Sequence, residues 1–232
     1  VSEQTPLLCI AGTDTGIGKT WISRLLCDCA ARTREARYVK AVQTGCTSDP
    51  IEGPRAPDLD WVSAGRATMS HPYELHAPYR FLPACSPHLA ARLANQTIDT
   101  AHILRCIETV RAGAGLTVVE GAGGLLVPLN DRDMIIDLFA RLDAPVALVA
   151  TPRLGTLNHT FLALEALERR GIATAGVVIN NCDNTGHDFI SQDNIAMIAR
   201  RCAPAPCAVV DYQSRPDAGP LESFFDELAQ RL

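Results

Sequence analysis

The sequence predicts an α/β fold, a mostly parallel sheet covered by helices on both faces. Three observations predict it. Short β-type runs alternate with amphipathic stretches along the chain. Runs such as VALVA and the body of LTVVE are apolar on consecutive residues, as strands buried on both faces are. The first such run leads through a glycine-containing turn directly into an amphipathic stretch. With 232 residues, 47% hydrophobic and 20% charged, the chain can bury a substantial core and suits one domain, residues 1–232.

The elements follow in order. PLLCIAG reads as the first strand, and residues 19–34 as a helix with Ile22, Leu25, Leu26 and Cys29 on one face. ARYVKAV reads as the next strand. Residues 47–88 break the rhythm with prolines and polar residues and read as a functional excursion, with a short helix over 58–64. A helix over 98–112, the strand LTVVEG, a helix over 133–142 and the strand PVALVAT restore the alternation. A helix over 154–170 places Leu157, Phe161 and Leu164 on one face, and the strand AGVVINN follows. After Cys202 come a last strand, AVVDY, loop signals, and a C-terminal helix from about residue 221.

Composition excludes several classes of function. The net charge of −5, with no Lys/Arg run, gives no cationic field for nucleic acid, so a small-molecule substrate is expected. The apolar run at residues 7–11 is far too short to span a membrane and has no basic region before it, so a cytoplasmic protein is expected. The nine cysteines are odd in number, irregularly spaced and without a CxxC pair, which argues against zinc or redox chemistry. Cys9, Cys27, Cys29 and Cys106 read as small core residues in a reducing compartment.

GTDTGIGKT, residues 12–20, lies between a predicted strand and a predicted helix. That arrangement points unpaired backbone N–H groups, backed by the positive end of a helix dipole, at one spot. Gly16 and Gly18 let the backbone approach a bulky anion, Lys19 can reach β- and γ-phosphates, and the Thr20 hydroxyl can ligate Mg²⁺. This is a phosphate-binding loop and makes the fold P-loop NTPase-like. Its spacing is deviant, because the upstream glycine is Gly12 where the standard pattern needs one at Thr13.

Other residues carry candidate chemistry. Lys40 sits in an apolar run, where an ammonium needs an anionic partner; it reads either as a second cation at the phosphates or as a snorkelling edge-strand lysine. Glu120 ends LTVVE at the sheet edge where α/β ligands bind, and can hold Mg²⁺ opposite Thr20. Asp58 reads as a helix N-cap or as another metal-facing carboxylate. Gly121, Gly123 and Gly124 read as a plain turn or as backbone amides approaching an anion. The helix start in TPRLGTLNHT can bind a carboxylate, or Thr156 can simply cap it. His88 and His159 fit no metal pair or nucleophile elbow.

GTDTGIGKT, VKAVQTG, CSPHLAA, VEGAGGLLVPL, RLGTLNHT and VVINN, in this order over residues 7–183, closely resemble the dethiobiotin synthetase family of biotin biosynthesis. VEGAGG and LGTLNHT are the more specific segments. The resemblance implies ATP-dependent closure of 7,8-diaminononanoate and CO₂ to a cyclic urea, through a carbamate and a carbamic-phosphoric anhydride, with release of ADP and phosphate. It implies Lys19 and Lys40 as the catalytic cations, and Thr20, Asp58 and Glu120 as the Mg²⁺ shell, which removes the cap reading of Asp58. A nucleotide site of Gly16, Ile17, Gly18, Lys19, Thr20 and Trp21 is implied, with Gly121, Ala122 and Gly123 beside it and Asn180 and Asn181 at the base. Thr15, Thr44 and Gly123 would meet the diamine or carbamate, and Gly155, Thr156 and Asn158 the substrate carboxylate. A homodimer with sites near the subunit interface is implied as well.

The chain departs from the family pattern in two places. Thr44 replaces the usual serine and keeps the hydroxyl. The late Gly-x-Ile-Pro loop of the adenine pocket has no counterpart in AVVDYQ, and Asn180-Asn-Cys-Asp183 has the outline of a guanine-reading Asn-x-x-Asp motif without its lysine. ATP is the expected nucleotide. The competing readings are another deviant-loop amidoligase or cobyrinate-type synthase, and a partitioning-type ATPase switch, which would usually carry a lysine in place of Asp14.

Overall fold

A computed structural model describes residues 5–185 and 188–230. Ten strands, nine α-helices and one short 3-10 helix (Gly219–Leu221) lie among them. β1 (Leu7–Gly12) leads into α1 (Lys19–Ala30), followed by β2 (Ala36–Lys40), β3 (Val42–Thr44), β4 (Thr47–Asp49) and β5 (Gly53–Arg55). Next come α2 (Pro57–Ser63), α3 (Tyr73–His76), β6 (Tyr79–Phe81), α4 (Pro87–Leu93) and α5 (Thr100–Arg111). β7 (Leu116–Gly124), α6 (Ile135–Leu142), β8 (Val146–Ala150), α7 (Thr156–Arg169) and β9 (Thr174–Asn180) continue the alternation. α8 (Phe189–Cys202), β10 (Cys207–Val210) and α9 (Glu222–Ala229) complete it.

Six strands form one parallel sheet in the order β10-β9-β8-β1-β7-β2, so the expected mostly parallel α/β architecture is the one observed. Its strands feed two cores by strict alternation. Cys9 and Ala11 of β1 join one hydrophobic cluster with Val119 and Leu148, while Leu8 and Ile10 join the other with Val118 and Val149. Side chains two apart along a strand share a face, so each of these strands contributes to both cores and every residue of β1 and β8 is buried. Cys9, Cys27, Cys29 and Cys106 lie in the interior as expected.

Several boundaries differ from the sequence reading. ARYVKAV is not one strand. Ala41 breaks it, β2 stops at Lys40, and β3 leaves the main sheet to pair in parallel with β6. The predicted 19–34 helix ends at Ala30, where residues 31–34 turn through N–H bonds such as Ala31 to the Cys27 carbonyl. The glycines after Glu120 form no turn; β7 runs on to Gly124, which pairs with Gly12. A Cβ at Gly121 would come within 2.8 Å of the Ile135 side chain, so glycine there lets α6 pack against the strand. The excursion over 47–88 holds ordered pieces beyond its one predicted helix, including the β4–β5 hairpin and α3. α8 was not predicted at all.

Candidate active site

The C-terminal ends of β1, β2 and β7 are adjacent in the sheet, and the loops leaving them meet at one edge. Gly16 and Gly18 adopt positive φ values of 73° and 83°, which shape the loop, and Gly18 sits at the N-cap of α1. A Cβ on Gly18 would collide with the Asn180 Nδ2, which packs under the loop and donates to the Ile17 carbonyl at 3.0 Å. Lys19 opens α1, buried, with its Nζ donating to the Asp14 carbonyl at 2.7 Å. Burial pushes the Lys19 ammonium down to about 8, with the nearby Glu120 charge opposing the shift.

Lys40 and Glu120 are direct partners in the β2–β7 register. The Lys40 Nζ is 2.6 Å from Glu120 Oε1 and 2.6 Å from Asp58 Oδ2, and it reaches the Gly121 carbonyl at 3.4 Å. Although β2 is an edge strand, Lys40 is 4% exposed and its charge is paired inside the protein, which overturns the snorkelling alternative. Burial works against its charge, but Glu120 and then Asp58 outweigh it and raise the Lys40 pKa above the ordinary value. Burial likewise opposes ionisation of Asp58, yet Lys40, with hydrogen bonds from Thr20 and Gln43, holds its carboxyl below the usual range. Asp58 does not cap α2, whose N-cap is Ala56 with Pro57 in the first turn. The carboxylate is turned toward Lys40 instead.

Glu120 is fully buried and accepts four hydrogen bonds. Thr20 Oγ1 and Lys40 Nζ donate to Oε1 at 2.9 and 2.6 Å. Ser23 Oγ and Tyr38 OH donate to Oε2 at 2.7 and 2.9 Å. Burial, then the Glu120 charge, keep the Tyr38 phenol well above its ordinary pKa, so it remains a donor. Ser23, Tyr38 and Gln43 were not anticipated from sequence. Ser23 lies three residues after Thr20 on one helix face, and Tyr38 lies two before Lys40 on one strand face, but this spacing singles out neither until the fold places Glu120 between them.

These groups surround a cleft of about 370 Å³ that brings together Thr15, Gly16, Gly18, Lys19, Thr20, Lys40, Thr44, Asp58, Glu120, Ala122 and Gly123 of the expected site. A larger cavity, about 650 Å³, lies between α4 and the loops around Asp99 and Asp131, but it contains no phosphate loop and none of the expected site residues. Chemistry rather than volume singles out the smaller cleft.

Other expected residues lie apart from it. Ile17 is buried beneath the loop, and Trp21 stacks on Trp61 of α2 with ring centroids 5.7 Å apart. Asn181 is buried, its backbone N–H donating to the Val210 carbonyl and its Oδ1 accepting from the Thr185 N–H. Gly155 and Asn158 are exposed outside the cleft. Thr156 borders a separate hollow of about 80 Å³ with Thr13, Asp14 and Ile17. It does not cap α7, whose N-cap is Gly155; the Thr156 and Thr160 hydroxyls lie 3.3 Å apart instead.

The arrangement presents a concave anion cradle, two buried ammonium groups and two carboxylates around a hydroxyl. That combination suits positioning and charge neutralisation of a transferring phosphoryl group.

Comparison with known proteins agrees with this architecture. A family model described as an AAA domain matches residues 7–212. The ATP-dependent dethiobiotin synthetase BioD of Janthinobacterium sp. (strain Marseille) is 38% identical over 219 residues, covering 88% of this chain and 92% of that protein. The protein of the same name from Agrobacterium fabrum is 44% identical over 184 residues, 79% of each chain. Among solved structures, a putative plasmid partition protein from Borrelia burgdorferi bound to AMPPNP superposes with a TM-score of 0.64 at 8% identity, covering 99% of this chain and 100% of that one. The septum site-determining protein MinD of Pyrococcus horikoshii, complexed with Mg-ADP, gives 0.52 at 16% identity, covering 98% and 95%. At such identities the structures share the fold alone, whereas the curated relatives are similar across most of both chains, and the protein belongs to the ATP-dependent dethiobiotin synthetase family.

Proposed function

We propose that the chain is an ATP-dependent dethiobiotin synthetase, a ligase that closes 7,8-diaminononanoate and CO₂ to dethiobiotin with release of ADP and phosphate. The observation that carries this reading is the convergence of Thr15, Lys19, Thr20, Lys40, Thr44, Asp58, Glu120 and Gly123 in one cleft, in a chain of this family. The amidoligase and partitioning-switch readings yield to it because curated relatives 38% and 44% identical carry the synthetase name.

The reaction joins two anions, a carbamate and the γ-phosphate, and their repulsion must be offset where they meet. A carbamate oxygen takes the γ-phosphoryl group as ADP leaves; the second amine then attacks the carbonyl carbon and phosphate departs. In this reading Lys19 neutralises phosphate oxygens and Lys40 faces the carbamate and the γ-phosphate. The Thr15 and Thr44 hydroxyls and the Gly123 amide hold the acceptor. Gly123 adopts φ +68°, and a Cβ there would press to 2.9 Å of the Val127 side chain, so glycine is what lets the end of β7 pass beside Thr15.

The Thr20 hydroxyl and the Asp58 and Glu120 carboxylates are hard oxygen donors tied into one network, with Thr20 bonded to Glu120 and Lys40 bridging the two acids. That donor set fits Mg²⁺, which takes one or two carboxylates together with substrate phosphates. When bound there, Mg²⁺ supplies neutralising charge at the phosphates.

The whole chain acts as one domain in this reading, as a cytoplasmic homodimer. Free thiols throughout the fold suit a reducing compartment, and no helix among the described residues is long and apolar enough to cross a membrane. Exposure of Gly155 and Asn158 outside their own cleft supports a site completed near a subunit interface.

Purified protein given diaminononanoate, bicarbonate, Mg²⁺ and ATP is expected to form the cyclic urea and ADP. Absence of product with any nucleoside triphosphate overturns the reading. Parallel assays with GTP and CTP test base preference where AVVDYQ departs from the family pattern.

A further inference from the structure

The two oxygens of Glu120 are held by different kinds of partner. Oε1 is bonded by Thr20 and Lys40, which line the cleft. Oε2 is bonded by Ser23 and Tyr38, which are 0% and 1% exposed. Tyr38 and Lys40 project from one face of β2 beside β7, while Thr20 and Ser23 project from one face of α1. A buried tyrosine needs a partner for its hydroxyl, whereas phenylalanine would fill nearly the same volume without one. The rotation of a glutamate carboxylate about its last torsion is soft, so packing of the side-chain stem alone does not fix which way its oxygens point. Two donors on one oxygen do.

We propose that Tyr38, together with Ser23, is a positioning residue for Glu120: the pair anchors Oε2 and so aims Oε1 into the cleft as a ligand for the Mg²⁺ of the bound nucleotide. Tyr38 acts only through Glu120. The inference rests on the reading of Thr20, Asp58 and Glu120 as the metal shell. Outer partners that orient a metal ligand typically change metal affinity by about 10–100-fold when removed.

The test is ATP binding by calorimetry to the full chain, with excess Mg²⁺ and again with EDTA, for wild type, Tyr38→Phe and Ser23→Ala. Tyr38→Phe is expected to reduce the ratio of the two affinities by about 10-fold, with metal-free ATP binding unchanged. A general loss of stability would not produce that split, because it does not depend on Mg²⁺. Ser23→Ala removes the other donor to the same oxygen and is expected to act in the same direction, so it serves as the test if Tyr38→Phe does not fold. A magnesium-dependent wild type whose folded variants keep the wild-type ratio overturns this proposal alone. A wild type whose ATP affinity ignores Mg²⁺ overturns it together with the metal shell on which it rests.

Discussion

Lys40 and Gly18 show how one atom or one torsion governs this site. Lys40→Gln removes the ammonium between Asp58 and Glu120. Turnover is expected to fall by at least ~100-fold, since a cation at a phosphoryl-transfer centre is worth a few kcal/mol; steady-state kinetics on a variant with native circular dichroism checks it. Near-normal turnover would return Lys40 to a structural role. Gly18→Ala forces a Cβ into the Asn180 amide at φ +83°, a torsion that costs an L residue roughly 1–2 kcal/mol. ATP affinity is expected to drop at least ~10-fold, measured by calorimetry. Much at this scale was legible in the sequence. The misfit of a lysine in YVKAV marked Lys40, and the glycine spacing marked the loop. Asp58 was ambiguous because an acid near a helix start looks the same whether it caps the backbone or faces a cation. Ser23 and Tyr38 were silent because an ordinary helical serine and an ordinary strand tyrosine gain meaning only when β7 brings Glu120 between them.

Elements were legible where an apolar stripe marks the buried face. In α1 the buried residues include Ile22, Leu25, Leu26 and Cys29, the predicted stripe. In α8 they are Ser191, Asn194, Ile198 and Cys202, a stripe half polar, so hydrophobic periodicity could not reveal it. Asn194 instead donates to the Pro152 carbonyl at 2.9 Å, an interaction no sequence pattern encodes. The break at Ala41 was hidden for a related reason: ARYVKAV is β-like throughout, and only the competing partner β6 draws β3 away. Pairing between elements also sets acid stability. Asp133 takes Arg141 of α6 at 2.6 Å and the Thr100 hydroxyl of α5 at 2.8 Å, and these partners, Arg141 foremost, lower its pKa below the ordinary 3.8. A depressed carboxylate contributes stability that is present above the ordinary pKa and lost as pH falls through the folded value. Asp133→Asn is therefore expected to lower Tm at pH 7, and the difference from wild type to shrink as pH falls below 3.8 in thermal melts. An unchanged difference at low pH would contradict it.

At the scale of the whole molecule, the cleft gathers Lys19, Thr20, Lys40, Asp58 and Glu120 and leaves Gly155 and Asn158 outside. Leu154 beside them is 83% exposed, with Leu162 and Leu126 at 57% and 55%. The chain is expected to scatter light as a dimer of twice its 24.9 kDa mass. Leu154→Asp is expected to shift it toward monomer and to raise KM for the diamine more than KM for ATP. A monomeric wild type with full activity would refute both. Sequence could place the βα order of this fold but could not tell whether a surface such as that around Leu154 is covered, because an exposed leucine in a loop carries no mark of a partner.

The stacked pair Trp21 and Trp61 has an optical consequence. The chain has two tryptophans, and both stand at this one seam, Trp21 next to Thr20 on α1 and Trp61 three residues beyond Asp58 on α2, with the Arg24 guanidinium 4.4 Å from the Trp61 ring. The intrinsic emission of the unlabelled protein therefore comes from the gap between the helix that bears the phosphate loop and the helix that bears Asp58. Any ligand that shifts one against the other changes the stacking and the cation above it, and so alters emission intensity and wavelength.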